Sequence, residues 1–182
     1  MTTFLLSPAN LSGIRAGFLR TGQFALAVRF RAEGAPIGEV FSFTSGLYFR
    51  GKLTYALAYG RALVITADRG LVAVDTVIGP RDVEAFCAVD IDPGEPRYVA
   101  PLQRDARLLT GPVVLLGSLA TPKYTGPLSE VLGDHLLYPP DFVGQGDMRR
   151  GSILLKRARD GQELEYEAWK AREKPAGRPI TA

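Results

Sequence analysis

Three short apolar runs, each followed by a polar turn, constrain the fold more than any other feature of this chain. They are TFLLS at 3–7, RALVIT at 61–66 and PVVLLG at 112–117. Continuous apolar runs of this length are typical of strands buried on both faces of a parallel sheet. Longer segments with helical spacing lie between them. The sequence therefore predicts an α/β fold, with a mostly parallel sheet flanked by helices in a single domain.

The segment SGLYFRGKLTYALAYG at 45–60 predicts a helix that Ser45 caps and Gly60 ends. On this helix we expect Arg50 and Lys52 to face solvent. The inward-facing set is expected to be apolar: Leu47, Leu53, Ala56 and Leu57. Just before it, EVFSF at 39–43 alternates apolar and polar residues and predicts a strand.

The C-terminal part of the chain predicts an antiparallel β-hairpin over 152–168. Two alternating runs flank Asp160 and Gly161, and an Asp-Gly pair is a strong hairpin indicator. We expect the domain to span 1–169 and the remaining residues, 170–182, to form a polar tail. Upstream, PLSEVLG predicts a short helix and HLLYP a further strand.

Composition places the chain among globular proteins, with 46% hydrophobic and 23% charged residues. The net charge of +3 permits an anionic partner without requiring one. Cys87 is the single cysteine, so no internal disulfide forms, and its apolar setting predicts a buried thiol. The N-terminus lacks a signal-peptide pattern, and no run reaches the about 18 apolar residues of a membrane span. We therefore expect a cytoplasmic protein without a membrane partner.

Polar side chains follow each of the three predicted strands. Because open α/β sheets bind ligands at the carboxyl ends of their strands, these residues predict a shared site. They are Ser7, Asn10, Thr66, Asp68, Arg69, Ser118, Thr121, Lys123 and Tyr124. In GSLATPKYTG, the hydroxyls and Lys123 suit a phosphate. The alternative is a plain strand-to-helix connection in which Thr125 caps the next helix.

A second polar cluster, DFVGQGDMRRGS at 141–152, combines three glycines with charged side chains. Arg149 and Arg150 are candidates to clamp a phosphate, and Asp147 is a candidate acid, base or ribose-hydroxyl acceptor. With Asp68, Asp147 would form a carboxylate pair for glycosidic-bond chemistry. The alternative is a flexible loop with solvated arginines. His135 has no metal-ligand partner beside it, so we predict a structural histidine and no metal site, and the cofactor stays unknown.

LLSPAN at the first strand, and LYFRGKLTYA followed by LVITADRGLV, resemble the peroxide-stress YaaA-type proteins and related uncharacterised bacterial α/β domains. The similarity covers residues 4–78. It implies a bacterial cytoplasmic protein associated with DNA and linked to oxidative or DNA stress. Ser7, Asn10 and Gly70 stand at positions of the matching motifs, although the YaaA-type proteins have a lysine where this chain has Asn10.

The leading functional hypothesis is a protein that binds a nucleotide, nucleoside or nucleic-acid phosphate at the carboxyl edge of its sheet. Hydrolysis or transfer at a glycosidic or phosphate bond is compatible with these residues, and whether the protein is an enzyme stays open. One alternative is a non-enzymatic DNA-binding or stress-response protein, which requires an Arg and Lys stripe on one face. The other is a structural subunit of a protein complex.

Overall fold

A computed structural model describes residues 1–169 of the 182-residue chain. Helices and strands are interspersed along it. The first half contains β1 (Thr3–Leu6), α1 (Ile14–Thr21), α2 (Ala25–Ala32), β2 (Ala35–Pro36), α3 (Ile37–Ser45), α4 (Leu47–Tyr59), β3 (Arg61–Ile65), β4 (Leu71–Ala73) and β5 (Val77–Ile78). The second half contains α5 (Pro80–Cys87), α6 (Pro96–Ala106), β6 (Val113–Leu116), α7 (Pro122–Leu132), β7 (Leu136–Tyr138), α8 (Asp147–Asp160) and β8 (Glu167–Ala168).

The main sheet has six strands in the order β4-β3-β1-β6-β7-β8. β3, β1, β6 and β7 run parallel, and Thr3 aligns with Arg61 on one side and with Val113 on the other. The short edge strands β4 and β8 are antiparallel. The predicted α/β fold with a mostly parallel sheet is therefore confirmed. A second, two-stranded sheet pairs β2 with β5.

The chain changes direction across the sheet next to β1. From β1 it passes to β3 on one side, and it then returns to β6 on the opposite side. The reversal leaves a crevice between the carboxyl ends of β1 and β6. In open α/β sheets, such a switch point is the usual place for a ligand.

Helices cover both faces of the sheet, and the alternation of strand side chains divides the core into two layers. Phe4 and Leu6 of β1 belong to the larger layer, which includes buried side chains of α1 to α5 and α8. Leu5 belongs to the other layer, where α6 contributes Tyr98 and α7 contributes Leu128. β1 is thus buried on both faces, as its continuous apolar run predicts.

α4 and α8 approach each other closely enough for their backbones to touch. A Cβ added to Gly51 would lie 2.7 Å from the backbone oxygen of Gly151. A Cβ on Gly151 would lie 2.9 Å from the Cα atom of Tyr48. No side chain fits at this crossing, so the two glycines set the separation of the helices.

The strand predicted over 39–43 is wrong, because these residues lie in α3. Its buried residues include Ile37, Val40, Phe41 and Thr44. Their spacing of three, four and seven positions places them on one helical face, which packs into the core. Burial of this face outweighs the alternation read from EVFSF.

The antiparallel pair at the C-terminal end of the sheet is confirmed, but the hairpin does not lie where the sequence predicts it. β7 pairs with β8, whereas residues 152–160 belong to α8. Gly161 has a φ of 65° in the left-handed region and ends the helix there. An Asp-Gly pair serves a helix C-terminus as well as it serves a hairpin turn.

Several smaller expectations are also wrong. Ser45 belongs to α3 and Gly46 precedes α4, so Ser45 does not cap α4, and Leu57 is exposed rather than turned inward.

Cys87 and Thr125 also differ from what the sequence predicts. Cys87 is exposed at the end of α5, because Val83 and Phe86 are the residues of this helix that turn into the core. Thr125 lies inside α7 rather than at its start, where Thr121 is the cap residue. The predicted tail at 170–182 lies outside the described residues. Within residues 1–169, no helix has the length and apolar character needed to cross a membrane.

Candidate functional site

A cavity of about 570 Å³ opens at the carboxyl edge of the sheet, beside the switch point. Its walls come from the segments after β1, β3 and β6, from α3 and α4, from the end of α5, and from the first turns of α7 and α8. Ser7, Thr66 and Ser118, which follow three different strands, all line it. Its volume lies within the range of roughly 300–1,000 Å³ that is usual for small-molecule sites.

Lys52 lies at the base of the cavity, and the expectation that it faces solvent is wrong. Its side chain is 1% exposed. The ammonium Nζ donates to the backbone oxygen of Ser7 at 2.6 Å and contacts the Ser7 hydroxyl oxygen at 2.8 Å. It also lies 4.3 Å from the centre of the Tyr48 ring. Among residues 1–169, no carboxylate forms an ion pair with Lys52.

This setting changes the proton affinity of Lys52. The pKa of the ammonium falls from 10.5 to about 7, chiefly because of burial and in part because of the positive charge of Arg150. The carboxylate of Asp147 opposes this shift. A substantial share of Lys52 is therefore neutral near pH 7 and carries a free lone pair.

α4 brings Lys52 inward because of its position relative to two aromatic residues. Tyr48, four positions earlier, and Tyr55, three positions later, are both buried on the same helical face. Lysine ordinarily avoids this kind of position. The spacing of the aromatic residues was the indication that could have identified Lys52 from the sequence.

Ser7 is held in place from two sides. Its backbone N–H donates to the oxygen of Leu116 at 3.3 Å, which continues the pairing of β1 with β6 by one residue. Its carbonyl oxygen accepts from Lys52. Only 4% of Ser7 is exposed, yet it lines the cavity. Its hydroxyl is therefore a fixed, enclosed group at the switch point.

Two buried tyrosines flank this pair. Burial raises the pKa of Tyr124 to about 12, against the opposing effect of a hydrogen bond with Ser7. Burial also raises the pKa of Tyr48, whose hydroxyl has no hydrogen-bond partner in the described part of the chain. Both phenols stay protonated at neutral pH and can donate to a ligand.

The rim of the cavity carries the other polar groups. Asn10 accepts hydrogen bonds from the backbone N–H of Ser12 at 2.9 Å and from its hydroxyl at 2.7 Å, which shapes the turn after β1. Lys123 comes from the first turn of α7. Asp147 comes from the start of α8 and Asp90 from the segment after α5. Two lysines and two aspartates thus line the cavity.

Three residues predicted for the site are engaged in a turn after β3. The Thr66 hydroxyl donates to the Gly70 oxygen at 2.8 Å, so it closes this turn although it reaches the cavity. Arg69 pairs with Asp68 at 2.9 Å and with Asp82 at 2.7 Å, and these contacts raise its pKa. Asp68 and Arg69 do not line the cavity. The structure therefore does not place Asp68 beside Asp147.

The predicted arginine clamp is divided between two environments. Arg150 is buried, donates to the Gly117 oxygen at 3.2 Å and forms an ion pair with Asp147. Arg149 is exposed and lies outside the cavity, as does Thr121. Arg150 therefore acts on the site through its charge and through Asp147, and Lys123 is the predicted anion contact that reaches the cavity directly.

A larger, neighbouring cavity of about 1,250 Å³ shares Ser118 with the first. Arg150 lines it, and the Nε atom of this arginine has no partner among the described residues. Tyr138 and Trp169 form another wall, with their rings edge to face at 5.3 Å. Within residues 1–169, no group of three or more His, Cys, Asp or Glu side chains is arranged to hold a metal ion.

Comparison of the chain with protein-family models, with curated proteins and with solved structures found no match. The resemblance to YaaA-type proteins therefore stays a prediction. Of the three residues that this resemblance identifies, Ser7 and Asn10 line the cavity. Gly70 instead accepts the hydrogen bond from Thr66 in the adjacent turn.

Proposed function

We propose that this protein binds a nucleoside or nucleotide in the cavity at the carboxyl edge of its sheet. The observation that carries the proposal is the convergence of polar side chains from separate segments on one crevice at the switch point. These side chains are Ser7, Asn10, Ser118, Lys123 and Asp147. Ligands of α/β sheets of this kind usually bind at such a crevice.

The charges around the cavity favour a ligand with few phosphates. Lys123 and the first turn of α7 offer one region of positive potential, because helix N-termini attract anions. Asp90 lines the same cavity and would repel a long phosphate chain, whereas Arg150 offsets the charge of Asp147. Carboxylates of this kind accept hydrogen bonds from sugar hydroxyls. A nucleoside or a nucleoside monophosphate fits this balance better than a triphosphate.

The DNA-binding alternative has less support, because many arginines are paired with carboxylates instead of forming an unpaired stripe. The pairs include Arg29–Glu39, Arg69–Asp82, Arg97–Glu95, Arg104–Asp105, Arg157–Asp141 and Arg159–Asp160. Paired arginines release fewer counterions from DNA than free ones. The structural-subunit alternative has one relevant observation, which is the exposure of the apolar side chains Ile14, Phe18 and Val28 on α1 and α2.

Thermal unfolding with a panel of nucleosides, monophosphates and triphosphates tests the proposal. A ligand present at 100 times its dissociation constant adds about 2.7 kcal/mol to the stability of the folded state. We expect a monophosphate to raise the midpoint and Lys123→Ala to weaken this shift. The matched control is Arg149→Ala, which removes an exposed charge outside the cavity. No shift with any ligand, or an equal loss in both variants, would refute the proposal.

A further inference from the structure

We propose that Ser7 is the nucleophile of a phosphoryl-transfer reaction and that Lys52 accepts its proton, so that the cavity is an active site. This inference rests on the proposed function, because it requires a phosphate ester to bind in the same cavity. It assigns catalysis to two residues that the sequence analysis did not bring together, in place of the predicted carboxylates.

The first support is the contact between the two side chains. The Ser7 hydroxyl oxygen and Lys52 Nζ are 2.8 Å apart, which is the separation expected of a nucleophile and its base. The pairing of Ser7 with Leu116 and the bond from Lys52 to the Ser7 carbonyl fix the backbone on either side of the hydroxyl. Both residues line the cavity.

The second support is that the apolar surroundings of Lys52 do not require a charged side chain, although its ammonium also binds the Ser7 carbonyl oxygen. Lys52 is surrounded by the rings of Tyr48 and Phe49, and an apolar side chain of similar length would fill the same space. A buried cation without a carboxylate partner destabilises the fold. An ionisable group that is retained in a cleft although it lowers the stability of the fold is a candidate catalytic group.

The third support is the state of Lys52 near neutral pH. With a pKa of about 7, the amine is free to accept a proton where an ordinary lysine is not. Once protonated, it stands beside the Ser7 oxygen and faces whatever group that oxygen carries. This positive charge stabilises the negative charge of a phosphoryl group. Lys123 adds a second cation at the rim.

The reaction balances in two steps. In the first, the Ser7 hydroxyl gives its proton to neutral Lys52 while its oxygen bonds to phosphorus. The bond from phosphorus to the ester oxygen breaks, and the departing alcohol oxygen takes that proton from Lys52. In the second, water attacks the phosphoserine and gives a proton to Lys52. The Ser7 oxygen leaves phosphorus and recovers the proton, and inorganic phosphate is released.

The test uses the full chain with para-nitrophenyl phosphate and with the nucleoside monophosphate that gives the largest thermal shift. We expect phosphate release, and an intact mass that rises by one phosphoryl group carried on the peptide containing Ser7. Ser7→Ala should abolish the adduct and keep the thermal shift. Lys52→Met should lower turnover by about 100- to 10,000-fold, the usual contribution of a general base.

Matched controls make the same chemical changes outside the cavity. Ser152→Ala and Lys156→Met alter exposed residues of α8 and should keep wild-type turnover. Turnover should also rise with pH through about 7, as Lys52 loses its proton. Mass analysis of the wild-type protein tests the nucleophile even if the Lys52 variant does not fold.

The outcomes separate the two proposals. A bound monophosphate with neither turnover nor adduct would overturn the catalytic inference and leave the proposed function standing. Turnover that survives in Ser7→Ala would overturn the assignment of the nucleophile. Binding of nucleosides without binding of any phosphate ester would overturn the catalytic inference alone, and absence of binding by every nucleoside and every phosphate ester would overturn both proposals.

Discussion

Replacing Lys52 by methionine should stabilise the protein in a pH-dependent manner. In the unfolded chain this lysine keeps its proton up to a pH of about 10.5, whereas in the folded protein it loses the proton near pH 7. Between these values the unfolded state binds more protons. The wild-type protein therefore becomes more stable as the pH rises, and methionine removes this dependence.

The magnitude follows from the pKa. Lowering it from 10.5 to about 7 corresponds to a penalty of about 5 kcal/mol at pH values below 7. From pH 7.5 to 9.5, the advantage of Lys52→Met should shrink by about 2–3 kcal/mol. Loss of the two contacts with Ser7 offsets part of the gain, at about 1 kcal/mol for each contact.

Urea unfolding at pH 7.5, 8.5 and 9.5 measures this difference directly. Other groups that titrate in this range are common to both proteins, so they cancel in the comparison. Lys156→Met, which alters an exposed lysine, should show no such slope. A stability difference between Lys52→Met and wild type that stays constant with pH would refute the reasoning about the buried amine.

Three further measurements test the packing and the exposure of the site. Gly51→Ala should destabilise the fold by about 1–3 kcal/mol in urea unfolding, because its methyl group meets the backbone of α8, whereas Gly17→Ala in α1 has space and should not. Tyr55→Phe removes the acceptor of the Leu164 N–H at 2.7 Å, and a cost of about 1–3 kcal/mol with faster exchange of that amide is expected. Cys87 should react with a thiol reagent in the native state, and more slowly with a ligand in the cavity. Equal stability of the two glycine variants would contradict the first expectation. An unchanged exchange rate of the Leu164 amide would contradict the second, and a Cys87 thiol that reacts only after unfolding would contradict the third.

The sequence was informative where one physical effect dominated. The runs of β1, β3 and β6 are apolar on both faces, and this pattern belongs to few structures other than central parallel strands. Because these strands are parallel, the polar residues that follow them lie at the same carboxyl edge of the sheet. EVFSF failed because short alternation competes with helical spacing, and the positions of Ile37 and Phe41 decide in favour of α3.

The catalytic candidates were harder to predict, because they depend on contacts between distant segments. Ser7 was recognised from its place after a strand. Lys52 lies 45 positions away, and only the packing of α4 across the end of β1 brings the two together. Lysine side chains are normally exposed, so the residue type led to the wrong expectation that Lys52 faces solvent. Likewise, Arg69 is polar and near the edge, yet Asp68 and Asp82 occupy its guanidinium.

The crossing of Gly51 and Gly151 has a consequence for motion. Helices whose backbones touch have no intervening side chains that can change rotamer and let them slide. α4 carries Lys52 and α8 carries Asp147, so we expect these two walls of the cavity to move together. We therefore expect adjustment to a ligand in other segments that line the cavity, such as the one around Asp90 after α5.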